Sequence, residues 1–116
     1  MNSLDTPICD IETRRWEQLR SKLPGNVMVL TISMDLPFAQ ARWGQGADLG
    51  HNALSSHRSE EFGRSYGVLI KEWRMLQRAV LVLDADRRLA HVKYVDDQIQ
   101  ESDYQAAVDA VRSVAT

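Results

Sequence analysis

The sequence predicts a single α/β domain, and three observations support this fold class. A helix-start signal at Thr6-Pro7 is followed by apolar residues at helical spacing. The segment 27–33 is a nearly continuous apolar run, which is the pattern of a strand buried on both faces in a parallel sheet. The segment 79–95 reads as two strands around a turn and precedes an amphipathic helix. Because 116 residues suffice for one modest core, we expect one domain over residues 1–116.

The first helix is predicted to run from about Pro7 to Leu23. Thr6 is a favourable N-cap residue, Pro7 suits the first helical position, and Pro24-Gly25-Asn26 ends the helix. The residues expected to face the core are Ile8, Ile11, Trp16, Leu19 and Leu23. The apolar strand at 27–33 follows directly, and this succession of helix and buried strand indicates α/β architecture.

The middle of the chain is predicted to hold two short helices joined by a loop. The first helix begins at Asp35-Leu36-Pro37 and reaches about Trp43, where nearby glycines are expected to end it. Residues 47–58 are polar and predict a loop. The second helix covers residues 59–66, with Gly67 at its C-terminal cap.

An antiparallel hairpin and a final helix complete the predicted fold. After a charged link at 71–75, strands at 79–83 and 89–95 flank a turn, and alternation in the second strand indicates a sheet edge. The sequence Ser102-Asp103-Tyr104-Gln105 is a capping box, and core-facing residues continue from it to about Val114.

Composition argues against several classes of function. A formal net charge of −2 gives no reason to expect binding to nucleic acid or to an anionic membrane surface. No apolar run approaches the ~20 residues of a membrane span, and the N-terminus lacks the blocks of a signal peptide. The single cysteine, Cys9, cannot form an internal disulfide, which fits a reducing compartment. We therefore expect a cytoplasmic protein.

The histidines offer a weak case for a metal site. His51 and His57 lie in the predicted loop with Asp48 nearby, but their spacing matches no dedicated metal-binding pattern. Ordinary surface histidines are the preferred interpretation, and His91 is read as a partly exposed residue of the edge strand. We expect neither a metal nor a cofactor.

Cys9 is the residue with the clearest chemical potential. Counting from Thr6 as the N-cap, Cys9 occupies the third helical position, near unpaired amide donors and the positive end of the helix dipole. Both favour the thiolate, so the pKa of the thiol should fall and the sulfur should become nucleophilic. The alternative is a small buried apolar residue, which is the commonest role of a lone cysteine.

The same residues resemble a known family over nearly the whole chain. Thr6-x-x-Cys9 at a helix start, followed by Arg14-Arg15-Trp16, is similar to the peroxidatic motif of peroxiredoxins, most closely the thiol peroxidase subfamily. The segment 33–43, SMDLPFAQARW, resembles that subfamily's Ser-x-Asp-Leu-Pro-Phe-Ala-Gln-x-Arg-aromatic signature. Further matches follow in order at 66–70, 78–84, 94–95 and 103–107.

This resemblance implies a thioredoxin-like fold and a thiol-dependent peroxidase. It makes Cys9 the nucleophile that attacks the peroxide and becomes a sulfenic acid. It gives Thr6 a hydroxyl that orients sulfur and peroxide, and it gives Arg78 a guanidinium that holds both. The backbone amides of Ile8 and Cys9 are candidate donors, and an ordinary surface arginine is the alternative for Arg78.

The sequence departs from the family pattern in three places. Asn2 stands where the family has a proline that shields the cysteine, and Gly44 stands where the subfamily usually has a resolving cysteine. An external thiol, from a thioredoxin-like protein or a small molecule, would have to resolve oxidised Cys9. The third departure is that the N-terminal strands and the central strand before the peroxidatic loop are missing.

The missing strand would lie between the strands predicted at 27–33 and 79–83. Its absence deprives both neighbours of backbone partners and exposes their edges. Three explanations are open: the chain start lies inside a longer gene, the flanking strands pair with each other, or a second chain supplies the strand. The first explanation accounts best for the sequence.

Two functions from different classes remain open at this point. The first is a thiol-dependent peroxidase that acts on hydrogen peroxide or organic hydroperoxides, with an external thiol as reductant. The second is a truncated, non-catalytic peroxiredoxin-like module for redox sensing or interaction. A homodimer is expected by resemblance, with Phe38, Trp43 and Trp73 as candidate contacts, although core packing is the simpler use of these rings.

A longer protein provides a test of the first explanation. Adding about 50 upstream residues, a third of a typical ~150-residue domain, should raise both the free energy of unfolding and the peroxidase rate. Urea denaturation and peroxide consumption measure the two. Cooperative unfolding of a monomeric 116-residue chain would contradict this expectation.

Overall fold

The computed structural model describes residues 1–95 and 103–115. Four helices and six strands are assigned within these residues. They are α1 (Pro7–Arg20), β1 (Leu30–Ser33), α2 (Pro37–Ala47), β2 (Asn52–Ser55), α3 (Glu61–Ser65), β3 (Leu69–Ile70), β4 (Met75–Leu76), β5 (Ala79–Leu83), β6 (Leu89–Tyr94) and α4 (Tyr104–Val114). The predicted capping box begins at Ser102, outside the described residues; the Asp103 side chain caps α4 by accepting a hydrogen bond from the Ala106 amide at 3.1 Å.

The described strands form three separate pairs rather than one sheet. β1 and β2 run parallel, whereas β3–β4 and β5–β6 are antiparallel. Among the residues that the structure describes, β1 pairs only with β2 and β5 only with β6, so these two strands have not closed up to pair with each other. A groove of about 580 Å³ is lined by residues of both strands and of helices α1 and α4. This geometry corresponds to the predicted gap of one central strand.

The open groove explains why the first strand is shorter and more exposed than predicted. Residues 27–29 lie outside β1, and Met28 and Leu30 are 75% and 45% exposed. The prediction of a strand buried on both faces was therefore wrong. The apolar pattern is present, but within residues 1–95 and 103–115 β1 has a strand partner, β2, on one side alone.

Two loop predictions also failed. α2 continues through Gly44 and Gly46 to Ala47 and ends at Asp48, whose φ of 54° is left-handed. β2 lies inside the segment predicted to be loop, whereas the charged link predicted at 71–75 forms the turn of a short β3–β4 hairpin and enters β4 only at Met75. The pairing of β2 with β1 is a long-range contact, so the local pattern of the four residues of β2 carries little sign of it.

The C-terminal half matches the sequence prediction closely. β5 has the predicted bounds, β6 pairs with it antiparallel, and most of β6 is exposed, as expected of an edge strand. α4 buries Ala107, Val108 and Val111 on the predicted face. Gly67 follows α3 with a φ of 70°, which fits the role of a residue that ends a helix.

α1 presents a different face to the core from the one predicted. It is confirmed from Pro7 but ends at Arg20, and Leu19 is buried as expected. Ile11 is 50% exposed, however, while Glu12 and Thr13 are 5% and 2% exposed. The apolar periodicity did not predict this face because the Glu12 carboxylate is buried in an ion pair with Arg78, which is distant in the sequence.

A polar link joins α1 to the β1–β2 pair. Glu17 Oε1 accepts hydrogen bonds from the Gly50 amide at 2.7 Å, the His51 amide at 2.9 Å and His51 Nδ1 at 3.1 Å. His51 Nε2 lies 2.8 Å from the hydroxyl of Thr31. His51 is 8% exposed, so its interpretation as a surface histidine was wrong.

This link titrates in a direction that makes the fold less stable in acid. Burial lowers the pKa of His51. Burial acts to raise the pKa of Glu17, but hydrogen bonds from the Gly50 backbone, the Arg20 side chain and both the side chain and the backbone of His51 lower it, and the net pKa lies below its ordinary value. A group whose pKa is lower in the fold than in the unfolded chain loses its stabilisation as pH falls, because the unfolded chain takes up the proton first.

We therefore expect the free energy of unfolding to decrease as pH falls below the ordinary His51 pKa of 6.5, and again below the ordinary Glu17 pKa of 4.5. Urea titrations from pH 8 to pH 5 measure the first decrease. His51→Asn should show a smaller decrease over this range, with His57→Asn as the matched loss of an imidazole. An equal slope in all three proteins would contradict the role of His51.

Candidate active site

Cys9 lies in the first turn of α1, at the third helical position as predicted, and its side chain is fully buried. Thr6 precedes the helix with the extended backbone of an N-cap, φ −83° and ψ 143°, but its side chain accepts no capping hydrogen bond. The Thr6 hydroxyl instead donates to the Ser3 carbonyl at 2.7 Å. Thr6 is therefore the N-cap residue by backbone conformation, as predicted, but its oxygen accepts no hydrogen bond from an amide of the first turn.

Arg78 lies just before β5 and reaches across the fold to Cys9. Its Nη2 is 3.4 Å from Cys9 Sγ, and the residue is 1% exposed. Its Nε is 2.9 Å from Oε2 of Glu12, a buried ion pair between α1 and the β5 end. The alternative of an ordinary surface arginine is excluded. Glu12, which sequence reasoning took for neither a site nor a core residue, follows Cys9 by three positions and faces the same side of α1.

The surroundings of Cys9 favour the thiolate. Burial acts to raise the pKa of the thiol, but hydrogen bonding to the Thr6 side chain, the Ser3 backbone, Arg78 and the Asn2 backbone lowers it, and the net pKa lies below its ordinary value. The Thr6 hydroxyl has one proton, so donation to sulfur and donation to the Ser3 carbonyl are alternatives. The direction of the shift agrees with the sequence prediction, although hydrogen-bond donors outside α1 carry it.

The N-terminal residues cover the sulfur. Asn2 is 5% exposed, its Nδ2 donates to the Leu76 carbonyl at 2.6 Å, and its Oδ1 lies 4.0 Å from Cys9 Sγ. The Met1 amino group donates to the Ile32 carbonyl of β1 at 2.9 Å, and burial lowers its pKa from 8.0 to about 6. A carboxamide thus occupies the place where the resemblance implies a proline, and it closes the site from this side.

The position of the expected resolving cysteine lies within α2. Gly44 stands there, beside Trp43, whose Nε1 donates to Asp10 at 3.4 Å and whose ring lies 5.2 Å from the Arg14 guanidinium carbon. Cys9 is the only cysteine of the chain, so no internal thiol is available to it.

The described residues contain no group of three or more His, Cys, Asp and Glu side chains placed to hold a metal ion. His51 is already used by Glu17 and Thr31. Within the same residues, none of the helices combines the length and the apolar character needed to cross a bilayer.

The family model described as Redoxin matches residues 1–108 of the chain. A thiol peroxidase of Streptococcus parasanguinis is 46% identical over 111 residues, which cover 95% of this chain and 67% of that protein. A thiol peroxidase of Bacillus subtilis is 43% identical over 114 residues, with 97% and 67% covered. The chain therefore spans about two thirds of the length of these relatives.

Solved structures agree with the sequence comparison. A peroxiredoxin-like protein from Aquifex aeolicus superposes with a TM-score of 0.91 at 33% identity, covering 98% of this chain and 68% of that one. A thiol peroxidase from Chromobacterium violaceum gives a TM-score of 0.85 at 19% identity, covering 100% and 69%, and supports the fold alone. The thioredoxin-like fold predicted from the sequence is thereby confirmed, and the chain belongs to the redoxin family as a peroxiredoxin of the thiol peroxidase type.

Proposed function

We propose that this chain reduces hydroperoxides with Cys9 as the nucleophile. The observation that carries the proposal is the buried contact of 3.4 Å between the Arg78 guanidinium and Cys9 Sγ at the start of α1. The lowered pKa of the thiol supports it, because the thiolate is the reactive form. The thiol peroxidases that share 43–46% of this sequence support the reaction class.

The reaction begins with attack of the Cys9 thiolate on one oxygen of the peroxide. A sulfur–oxygen bond forms, the O–O bond breaks, and the leaving oxygen takes up a proton to become water or an alcohol. Cys9 is oxidised to sulfenic acid as the peroxide is reduced. Arg78 stabilises the thiolate and the negative charge that develops on the leaving oxygen. Thr6 donates its single proton toward sulfur or peroxide when the bond to Ser3 opens.

An external thiol completes the cycle. It attacks the sulfenic acid and forms a mixed disulfide with Cys9 while water leaves, and a second thiol releases the Cys9 thiol and forms the external disulfide. A thioredoxin-like protein or a small thiol can supply both equivalents. The presence of Gly44 in place of a second cysteine supports this route.

A homodimer remains part of the proposal. Phe38 is 85% exposed and Trp73 is 63% exposed, so both rings are available for contact with a second copy. Trp43 is partly buried by its own contacts with Asp10 and Arg14. Sedimentation of the protein and of Phe38→Ser tests this contact.

The competing function is a non-catalytic redox-sensing or interaction module. Two observations favour it: Cys9 has no exposed surface, and the groove beside β1 and β5 leaves the fold open. In that case peroxide would not reach the sulfur at a useful rate. The rate of sulfenic acid formation decides between the two functions.

We expect one equivalent of hydrogen peroxide at neutral pH to convert Cys9 to a sulfenic acid much faster than it oxidises a free thiol. A dimedone-type probe and intact mass measure the adduct. Cys9→Ser should give none, and Arg78→Ala should slow formation by about 10² because a charged donor is lost.

Arg88→Ala, in an exposed turn, is the matched control and should react like the parent. Arg78→Lys keeps the buried charge and tests whether the guanidinium geometry matters if Arg78→Ala fails to fold. A parent rate no faster than that of a free thiol would reject the peroxidase and leave the non-catalytic module.

A further inference from the structure

We propose that Asp35 is a positioning residue for Cys9, acting through the turn that precedes α1. This inference rests on the proposed function, since it concerns how the same sulfur is held. Asp35 lies after β1, and its carboxylate hydrogen-bonds Ser3, Leu4 and Ser33 rather than the sulfur.

The Asp35 carboxylate holds two consecutive residues of the N-terminal segment. Its Oδ1 accepts from the Ser3 hydroxyl at 2.6 Å, and its Oδ2 accepts from the Leu4 amide at 2.9 Å. Leu4 is 2% exposed, so a missing acceptor for its amide would be costly. A carboxylate suits this position because it accepts on both oxygens without carrying a competing donor.

Asp35 is itself held by the rigid end of β1. The Ser33 hydroxyl donates to Asp35 Oδ2 at 2.9 Å and accepts from Gln40 Nε2 at 2.9 Å. Gln40 Nε2 also donates to the Leu54 carbonyl of β2 at 3.0 Å, and Ser55 Oγ donates to the Asp35 carbonyl at 2.5 Å. The signature at 33–43 thus supplies a polar anchor built on the paired strands β1 and β2.

The anchored segment is the one that hydrogen-bonds the sulfur. The Ser3 carbonyl accepts from the Thr6 amide at 3.0 Å and from the Thr6 hydroxyl at 2.7 Å, so the position of Ser3 determines the position of Thr6. The Thr6 side chain and the backbone of Ser3 are among the groups that lower the pKa of Cys9. A shift of Ser3 would therefore move two of the groups that favour the thiolate.

The sign of the effect separates positioning from simple electrostatics. Removing a negative charge near Cys9 would by itself lower the pKa of the thiol, because a thiolate is then repelled less. Loss of the anchor would raise this pKa, because the donors to sulfur are displaced. The Met1 amine, Glu12 and Arg78, the other charged groups at the sulfur, are the same in every variant compared.

The experiment measures the pH dependence of Cys9 alkylation by iodoacetamide in the full chain, together with sulfenic acid formation. Asp35→Asn should raise the apparent pKa of Cys9 and slow sulfenic acid formation by about tenfold, since misplaced groups lose much of their effect. Ser3→Ala removes one of the two hydrogen bonds to the anchor. It should also raise the apparent pKa of Cys9 and slow sulfenic acid formation, by less than Asp35→Asn does. Asp48→Asn, an exposed left-handed position that asparagine tolerates, is the matched control.

A lowered or unchanged pKa in both Asp35→Asn and Ser3→Ala would overturn the proposal. Ser3→Ala keeps it testable if Asp35→Asn fails to fold. Alkylation needs no peroxide, so a raised thiol pKa in the variants supports the positioning role even if the parent protein proves inactive toward peroxide. Failure of the positioning proposal is therefore distinguishable from failure of the proposed peroxidase function.

Discussion

The buried guanidinium of Arg78 is the interaction on which the candidate site depends. An arginine that is 1% exposed has lost its hydration, and such a charge is tolerated only when opposite charges and acceptors surround it. Glu12 and the Cys9 sulfur provide them, from two successive turns of one helix face. Arg78 therefore joins α1 to the end of β5 and also favours ionisation of the thiol. One side chain thus contributes to both the stability of the fold and the reactivity of Cys9.

Competition for one guanidinium also affects the chemistry. With Cys9 ionised, two negative groups share Arg78, and the nearby Met1 amine, with a pKa of about 6, adds a partial positive charge at neutral pH. Oxidation of the thiolate to a neutral sulfenic acid removes one of the two negative groups. Glu12 then keeps its contact with Arg78 without a competing negative charge, so the ion pair that supports the fold persists when the sulfur is oxidised.

The features that the sequence predicted are those that depend on residues close together in the chain. The start of α1, the position of Cys9, the β5–β6 hairpin and the buried face of α4 were predicted from local patterns and caps. Pairing of β2 with β1, the burial of Glu12 and the burial of His51 were missed, because each depends on a partner distant in sequence. Arg78 was identified through family resemblance, since nothing in its own neighbourhood distinguishes it from a surface arginine. Asp35 belonged to a recognised signature, but its contact with Ser3 and Leu4 emerged only from the structure.

The groove between β1 and β5 is physically coupled to the site. Met1, Glu12 and Thr13 all line it, so the residues that support Cys9 on one side border the groove on the other. Thr13 donates to the Cys9 carbonyl at 2.8 Å and thus links the groove to the backbone of the nucleophile. Water in the groove raises the effective dielectric around Glu12 and weakens its attraction to Arg78, whereas a dry groove strengthens it. The hydration of the groove therefore influences how strongly Arg78 is shared between Glu12 and Cys9. It does so from a distance, because the residues that hydrogen-bond the sulfur, Asn2, Ser3, Thr6 and Arg78, do not line the groove.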